Sequence, residues 1–500
     1  MFRLLAVYLV SLLFISDLRA EDCPRVIRLL ADDIVEVPIQ TPAPTEIVVS
    51  PTGRQVVVSP RRAPIDFEAI NLSETALYDE LGKPKSEAEL GENNVLLGFQ
   101  SFVRARFSPE GGWLRLVDRS QTHISNISSE LILPEPDEDP VSYGVFTNEE
   151  GSPEADRGVL SWDALFRTQG FQAWADSERS VVTATSRGVN EAAMIHVRDQ
   201  GGIVLEERSP SIGLVRHISW GPRSEIAWAT FRPSTRGMKF SIQPVVWSSA
   251  IESAQTYSAL ESEGAGQLSG IQVNDTDLVV YGALHDSKRA SFAVWNRSHP
   301  HITPVVQGLD GLEDVRWAGS SLNEMYFVGR AMQSRAGKLE YPFVDLVGSR
   351  EQLEVAKGMQ AFGLHSSPHL ATYISEIFLI KSGAISPITF PQRIFYGASL
   401  RLRANGNLVV ASWSEQKPGV IEIYERLGEE IRHLASVETG LKEFFRGASR
   451  EDPRFRMRLH LDSDFKRITI FPELRVDPSD DESYDPDAHR LWIVDLPEAL

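Results

Sequence analysis

Apolar and polar positions alternate in short runs along most of this chain, and clusters of Ser, Pro, Asp, Asn and Gly break the runs at intervals. Alternation with a period of two marks a strand with one face turned to a core, and a compact polar cluster between two such runs marks a hairpin. VRARFSPEGGWLRLVDRS (Val103 to Ser120) is one such unit, and EIVVSPTGRQVVVS (Glu46 to Ser59) repeats it with Ser-Pro and Gly in the same places. Proline presets φ at the second turn position, Ser or Asp bonds the turn backbone, and Gly accepts positive φ. Looser copies begin at Phe171, Arg216, Ser269, Glu313, Phe362, Ala398 and Arg454. Their turn centres, near 51, 109, 177, 222, 275, 321, 368, 405 and 463, lie on average about 50 residues apart, which is a blade-like period.

After most inner hairpins comes a second, looser pair of strands, such as PIDFEAIN, MIHVRDQGGIVLEE, MKFSIQPVVWS, SFAVWNRSHPHITPVV, YPFVDLVGSREQLEV and GVIEIYERLGEEIRHLA. Four strands per repeat predict an all-β protein, a single β-propeller of four-stranded antiparallel blades over residues 46–500. The interval holding PEPDEDP reads as an acidic insertion near 134–160, and the one near Pro368 is compressed. Eight blades are therefore expected, with seven as the alternative. Two smaller β domains divided near Pro136 are the competing architecture.

Val49, Phe107, Trp174, Trp220, Val273, Trp317 and Leu402 precede the turns and are all large and apolar, as residues packed between neighbouring blades are. The chain ends on HRLWIVDLPEAL, a third-strand pattern without a fourth. Residues 21–45 include RVIRLLADDIVEVPI (Arg25 to Ile39), a spare strand placed to complete the last blade and close the ring. Short helices are expected at Ser86 to Leu90, Arg350 to Gln360 and Leu441 to Gly447.

The first twenty residues change the picture. MFRLLAVYLVSLLFISDLRA has a basic Arg3, an apolar run from Leu4 to Ile15 and a polar end, the form of a secretory signal peptide cleaved after Ala20. About twelve apolar residues are too few to cross a bilayer, and no other run is a better candidate. An uncleaved anchor is the alternative. The expected location is the periplasm or the exterior. Cys23 is the lone cysteine and cannot form an internal disulfide. Net charge is −19, which argues against a nucleic-acid partner. Sequons begin at Asn71, Asn126, Asn274 and Asn296 and would matter only in a eukaryotic secretory pathway.

The FSPEG and VSPTG hairpins, each followed by an apolar strand, resemble the WD-repeat-like propeller repeats of the TolB type, which also occur in prolyl oligopeptidase-like proteins. The resemblance implies a propeller, bacterial export and a role in protein interaction. The chain departs from both patterns. There is no room before Glu46 for the α/β domain of a TolB protein, and no hydrolase domain follows the repeats. The fold is carried over and no functional residue is.

Chemistry-bearing motifs are sparse. There is no G-x-S-x-G elbow, no phosphate loop and no sialidase box, and GQLSG at Gly266 has the wrong spacing. His299 with His301, and His365 with His369, lack a third metal ligand nearby, and exposed loop histidines are the expected reading. DPSDDESYDPDAH (Asp477 to His489) is the best calcium candidate, yet it lacks EF-hand spacing and reads more simply as a solvated hairpin loop. No catalytic, cofactor-binding or metal-binding residue is assigned. Two functions remain open: an exported non-catalytic propeller that binds a protein or envelope component, or a propeller hydrolase or lyase acting on a glycan or small ester at the central channel.

Overall fold

A computed structural model describes residues 25–28, 34–41, 44–60, 65–92, 94–99, 104–107, 113–122, 125–134, 171–176, 180–186, 189–199, 202–233, 240–262, 267–286, 289–309, 312–334, 371–395, 397–414, 416–417, 419–441, 457–472 and 490–496. The described chain is nearly all β. Strands β1 (Arg25–Arg28) and β2 (Ile34–Pro38) come first and serve sheets built by the far end of the chain. The remaining strands form eight sheets in chain order.

Sheet 1 holds β3 (Pro44–Val49), β4 (Gln55–Pro60), β5 (Ile65–Asn71) and β6 (Asn94–Phe99), with helices α1 (Glu74–Leu77) and α2 (Glu87–Glu92) between its last two strands. Sheet 2 holds β7 (Arg104–Phe107), β8 (Trp113–Thr122) and β9 (Ser125–Pro134). Sheet 3 holds β10 (Phe171–Asp176), β11 (Ser180–Ser186), β12 (Ala192–Asp199) and β13 (Gly202–Ile212). Sheet 4 holds β14 (Leu214–Trp220), β15 (Ile226–Pro233), β16 (Phe240–Ser248) and β17 (Ser253–Thr256), and β18 (Leu260–Ser262) also pairs with β16. Sheet 5 holds β19 (Gln267–Val273), β20 (Asp277–Asp286), β21 (Arg289–Asn296) and β22 (Val305–Gly308).

Sheet 6 holds β23 (Leu312–Ser320), β24 (Met325–Ser334), β25 (Ala371–Lys381) and β26 (Ala384–Ile388), with β27 (Ile394–Phe395) beside β25. Sheet 7 holds β28 (Ser399–Leu402), β29 (Leu408–Trp413), β30 (Val420–Leu427) and β31 (Glu430–Glu438), and β1 adds to β31 in parallel. Sheet 8 holds β32 (Met457–Leu461), β33 (Arg467–Pro472) and β34 (Arg490–Asp495), and β2 pairs antiparallel with β34 as its fourth strand.

Within each sheet the consecutive strands form an antiparallel meander, and sheets 4 to 8 bury both faces against their neighbours. The buried apolar clusters fall between consecutive sheets. Val182, Ile195, Ile226 and Trp228 join sheets 3 and 4, while Phe231, Val246, Val273 and Trp295 join sheets 4 and 5. Phe292, Phe327 and Phe378 stack edge to face between sheets 5 and 6. Tyr326, Leu379, Leu408 and Val410 join sheets 6 and 7, and Trp413, Ile423, Leu459 and Trp492 join sheets 7 and 8. The last cluster joins the two ends of the chain, with Val35 and Val37 of β2, Leu491 and Ile493 of β34, and Val56, Val58 and Ile70 of sheet 1. Strands buried on both sides need apolar residues at successive positions, which is why VVV, LVVA and IFLI replace strict alternation in the second and third strands.

Buried tryptophans add a polar tie to this packing. The Nε1 of Trp228 donates to Ser209 Oγ of sheet 3 at 3.1 Å, that of Trp295 to the Ser258 carbonyl of sheet 4 at 2.9 Å, and that of Trp413 to the Met457 carbonyl of sheet 8 at 3.1 Å. A buried indole N–H left without an acceptor is costly, so each ring is fixed against one neighbour.

Several sequence expectations need correction. The hairpin placed around Pro368 has its first half outside the described residues, and its second half is β25, the third strand of sheet 6. The reason is a continuous ladder that pairs Met325 with Ile380 through to Ser334 with Ala371. The outer pair of sheet 6 is thus β25 and β26, whereas YPFVDLVGSREQLEV lies outside the described residues.

Trp317 does not pack between sheets either. It sits four residues before the turn at Ser321, a register shift separates it from Gly319, and its side chain is 44 % exposed. Val49, Trp220, Val273 and Leu402 do join the inter-sheet clusters. Phe107 is half-buried, and the Trp174 side chain is outside the described set. The helix expected at Ser86 to Leu90 is α2, while α1 was not anticipated. Arg350 to Gln360 and residues 442–447 fall outside the described residues, as do the acidic insertion from residue 135 onwards and Cys23.

Candidate functional site

Among the described residues, the first hairpins of sheets 1, 4, 5, 6, 7 and 8 end in tight turns, and these turns gather on one side of the molecule. Each is closed by a backbone hydrogen bond from its first residue to the carbonyl of its last. The pairs are Ser50 with Gln55, Gly221 with Glu225, Asn274 with Asp277, Ser321 with Glu324, Arg403 with Asn407 and Asp462 with Arg467. The sequence Ser50-Pro51-Thr52-Gly53 folds this way because Ser50 Oγ accepts from the Arg54 and Gln55 amides and Gly53 takes φ of +69°. The closing residue is polar in every one of the six turns.

Four of these closing residues latch neighbouring sheets together. Glu225 receives a two-pronged ion pair from Arg297 of sheet 5, at 2.6 and 2.7 Å. Asp277 Oδ1 accepts from the Gly383 amide of sheet 6 at 2.7 Å. Glu324 Oε2 accepts from Arg426 of sheet 7 at 3.2 Å. Arg467 donates to the Leu72 carbonyl of sheet 1 and is itself held by Asp495 at 2.6 Å. The Ser463 amide reaches the Pro51 carbonyl at 2.9 Å, so the turn of sheet 8 touches the turn of sheet 1.

The first strands carry a second relay. Arg401 of sheet 7 donates from Nε to the Leu461 carbonyl at 2.9 Å and from Nη2 to His460 Nε2 at 2.9 Å. Burial and the Arg401 charge push the His460 ring down to about 3, against the opposing pull of the Ser50 and Pro51 backbone. The ring is therefore neutral at pH 7 and able to accept from arginine.

A cavity of about 420 Å³ opens on the turn side between sheets 5, 6 and 7. The turns around Ser321, Arg403, Ser382 and Gly428 shape it, and Glu324, Tyr326, Lys381 and Arg426 supply its charged and phenolic groups. Lys381 Nζ donates to Glu324 Oε1 at 2.8 Å, and Tyr326 Oη donates to Oε2 at 2.6 Å. Arg426 Nη1 bridges Glu324 Oε2 and Tyr326 Oη, the latter at 2.8 Å. Burial raises Glu324, but the hydrogen bonds from Lys381 and Tyr326 and the Arg426 charge more than reverse it, so the carboxyl titrates below its ordinary value. Burial and the bond to Glu324 push the Tyr326 phenol above its own. The site thus offers fixed charges and donors, and its carboxyl and its phenol are both shifted away from exchanging a proton near neutral pH.

Sequence reasoning did not find this cluster. Glu324 and Arg426 are 102 residues apart. The one available signal was the recurring polar residue that closes each turn. The histidines that were singled out lie elsewhere. His299 and His301 are exposed in the turn between β21 and β22, with His299 Nδ1 3.4 Å from Asn296 Oδ1. Among the described residues no group of three His, Cys, Asp or Glu side chains could hold a metal ion. His365, His369 and Asp477 to His489 lie outside the described residues.

Of the sequons, Asn274 is fully buried and its Oδ1 accepts from the Thr276 and Asp277 amides, so it is a turn residue without a free face. No described helix is long and apolar enough to cross a membrane.

No family model matches this chain, and no curated protein does. Among solved structures it is similar to a eukaryotic initiation factor, at 15 % identity and a TM-score of 0.39, covering 88 % of this chain and 86 % of that one. It is also similar to the β-propeller domain of the Trilobed protease from Pyrococcus furiosus, at 10 % identity and a TM-score of 0.35, covering 79 % and 96 %. TolB from Acinetobacter baumannii matches at 10 % identity and a TM-score of 0.24, covering 78 % and 81 %.

Proposed function

We propose that this chain is an exported eight-bladed β-propeller that serves as a binding scaffold for a protein or envelope component. Eight sheets in chain order, with sheets 3 to 8 each packed against the next and sheet 8 against sheet 1, support the blade count. The pairing of β2 with β34 and the contact between the turns of sheets 8 and 1 support a closed ring. The N-terminal leader supports export, with cleavage after Ala20.

One observation carries the choice of binding over catalysis. In the described cavity Glu324 is filled by donors from Lys381, Tyr326 and Arg426, and the shifts on Glu324 and Tyr326 move each away from neutrality. Such a site holds a ligand by fixed donors, and neither its carboxylate nor its phenol is poised as a general base or nucleophile.

The test is to express the full chain in a bacterium, sequence its mature N-terminus, and cross-link it in intact cells through a photoreactive residue at exposed Asn323. The expected result is a mature chain starting at Glu21 and a discrete adduct that is missing when the probe sits at exposed Leu81. Turnover of glycan or ester substrates by the purified protein, lost on substituting cavity residues, would overturn the reading.

A further inference from the structure

Arg426 is 7 % exposed, and with its partner Glu324 it lines an open cavity. Its Nη1 is spent on Glu324 and Tyr326, and its guanidinium carbon lies 5.7 Å from the Tyr326 ring centre. Among the described residues nothing accepts from Nε or Nη2, yet neither atom is sealed from solvent. With the residue otherwise enclosed, the cavity is the route to that edge. The Nε–Nη2 edge of an arginine is a planar fork whose two parallel donors match the two oxygens of a carboxylate.

The remaining lining sets the rest of the ligand. Among the described residues Glu324, Lys381 and Arg426 are the charged groups that line the cavity, which leaves one net positive charge. Lys381 is more than half exposed and has spent one of its three donors on Glu324. Thr276, Ser321, Asn323, Ser382, Asn405 and Asn407 contribute hydroxyls and amides, and no aliphatic side chain takes part. Such walls suit hydroxyl groups, with the Tyr326 ring as their one large apolar side chain among the described residues.

We infer that this cavity is a recognition site for a small hydroxylated monocarboxylate, a sugar acid or hydroxy acid. Its carboxylate is held by the free fork of Arg426 with help from Lys381, and its hydroxyls are held by the turn residues. The inference rests on reading the cavity as a binding site and names what it binds. Glu324 does not oppose the ligand, because its charge is cancelled by one of the two cations and its oxygens are already filled by donors.

Titration calorimetry of the full chain at pH 7 with D-gluconate tests this, with sorbitol, acetate and inorganic phosphate as companions. Gluconate shares its hydroxyl chain with sorbitol and its carboxylate with acetate, so it alone satisfies both halves of the site. A dissociation constant of about 1 mM is expected for a ligand of this size. Sorbitol and acetate are expected to bind at least about tenfold more weakly, each lacking one set of hydrogen bonds.

Arg426→Met removes the fork and is expected to abolish binding. Because Arg426 also joins two sheets, Lys381→Met and Asn323→Leu, both at exposed positions, provide variants that keep the fold. Each is expected to weaken gluconate about three- to tenfold with an unchanged melting temperature. Absence of gluconate binding, equal binding of sorbitol or phosphate, or unchanged affinity in all three folded variants would overturn the assignment. Failure here with the envelope cross-link still present removes the ligand and leaves the scaffold reading standing.

Discussion

His460 gives the sharpest prediction. Its ring is held neutral by burial and by the Arg401 guanidinium, with a folded-state value near 3 against an ordinary 6.5. The unfolded chain therefore takes up a proton below pH 6.5 that the folded chain refuses, and stability must fall with pH across the window from 6.5 to about 3. Above pH 6.5 neither state is protonated and the residue contributes no pH dependence.

At pH 5 the unfolded chain has gained 1.5 units of protonation free energy at about 1.4 kcal/mol per unit, a loss of roughly 2 kcal/mol. That figure needs only a folded value below 5. His460→Gln keeps an acceptor for Arg401 and deletes the titrating group. Urea midpoints measured at pH 7, 6 and 5 are expected to fall more steeply for the wild type, the extra loss reaching roughly 2 kcal/mol at pH 5. Parallel curves for the two proteins would refute the claim that Arg401 and burial keep the ring neutral.

The remaining predictions concern the joints between sheets. A Cβ at Gly270 would lie 2.4 Å from the Tyr281 hydroxyl and 2.6 Å from its Cζ. Gly270→Ala is accordingly expected to cost about 1–3 kcal/mol by thermal melting, and Tyr281→Leu in the same chain should recover part of it. Trp413→Phe leaves the Met457 carbonyl without its donor and should cost about 1–3 kcal/mol in a urea titration; a change near zero would show that water takes the indole's place. Val37 is 1 % exposed between sheets 8 and 1, so Val37→Asp buries an unpaired charge and should cost more than about 3 kcal/mol, read as loss of soluble protein or a collapsed melting temperature.

The repeat was legible because its punctuation is chemical. Ser50-Pro51-Thr52-Gly53 uses residues whose backbone preferences specify the turn, so the first copy could be placed to within a residue or two. The same reasoning slipped at Trp317 because a bulge inserts an extra residue, and nothing in the letters EDVRWAGSS marks where the extra residue goes. It slipped again at Ala371, where a turn-like HSSPH precedes a strand that belongs to the preceding hairpin.

The cavity was hidden for a different reason. Its four charged and phenolic groups come from three separate strands and the end of one turn, and only the stacking of sheets 6 and 7 brings Arg426 against Glu324. Local patterns report local geometry. Contacts between sheets depend on which way each strand faces, and in strands buried on both sides the alternation that would reveal this is lost.

The pairing of β2 with β34 bears on how the molecule is made. Arg490 and Glu36, joined at 2.6 Å, are separated by 454 residues of chain. On the ribosome the first strand of sheet 8 to emerge is therefore its last to be placed, and it waits unpaired through almost the whole of synthesis. Val35 and Val37 pack against sheet 1, but the strand they sit on has no ladder partner until Leu491 and Ile493 arrive. Completion is thus checked by the chain itself: a truncated product has sheets 1 to 7 to build with but cannot pair β2, and its unpaired edge is open to proteases.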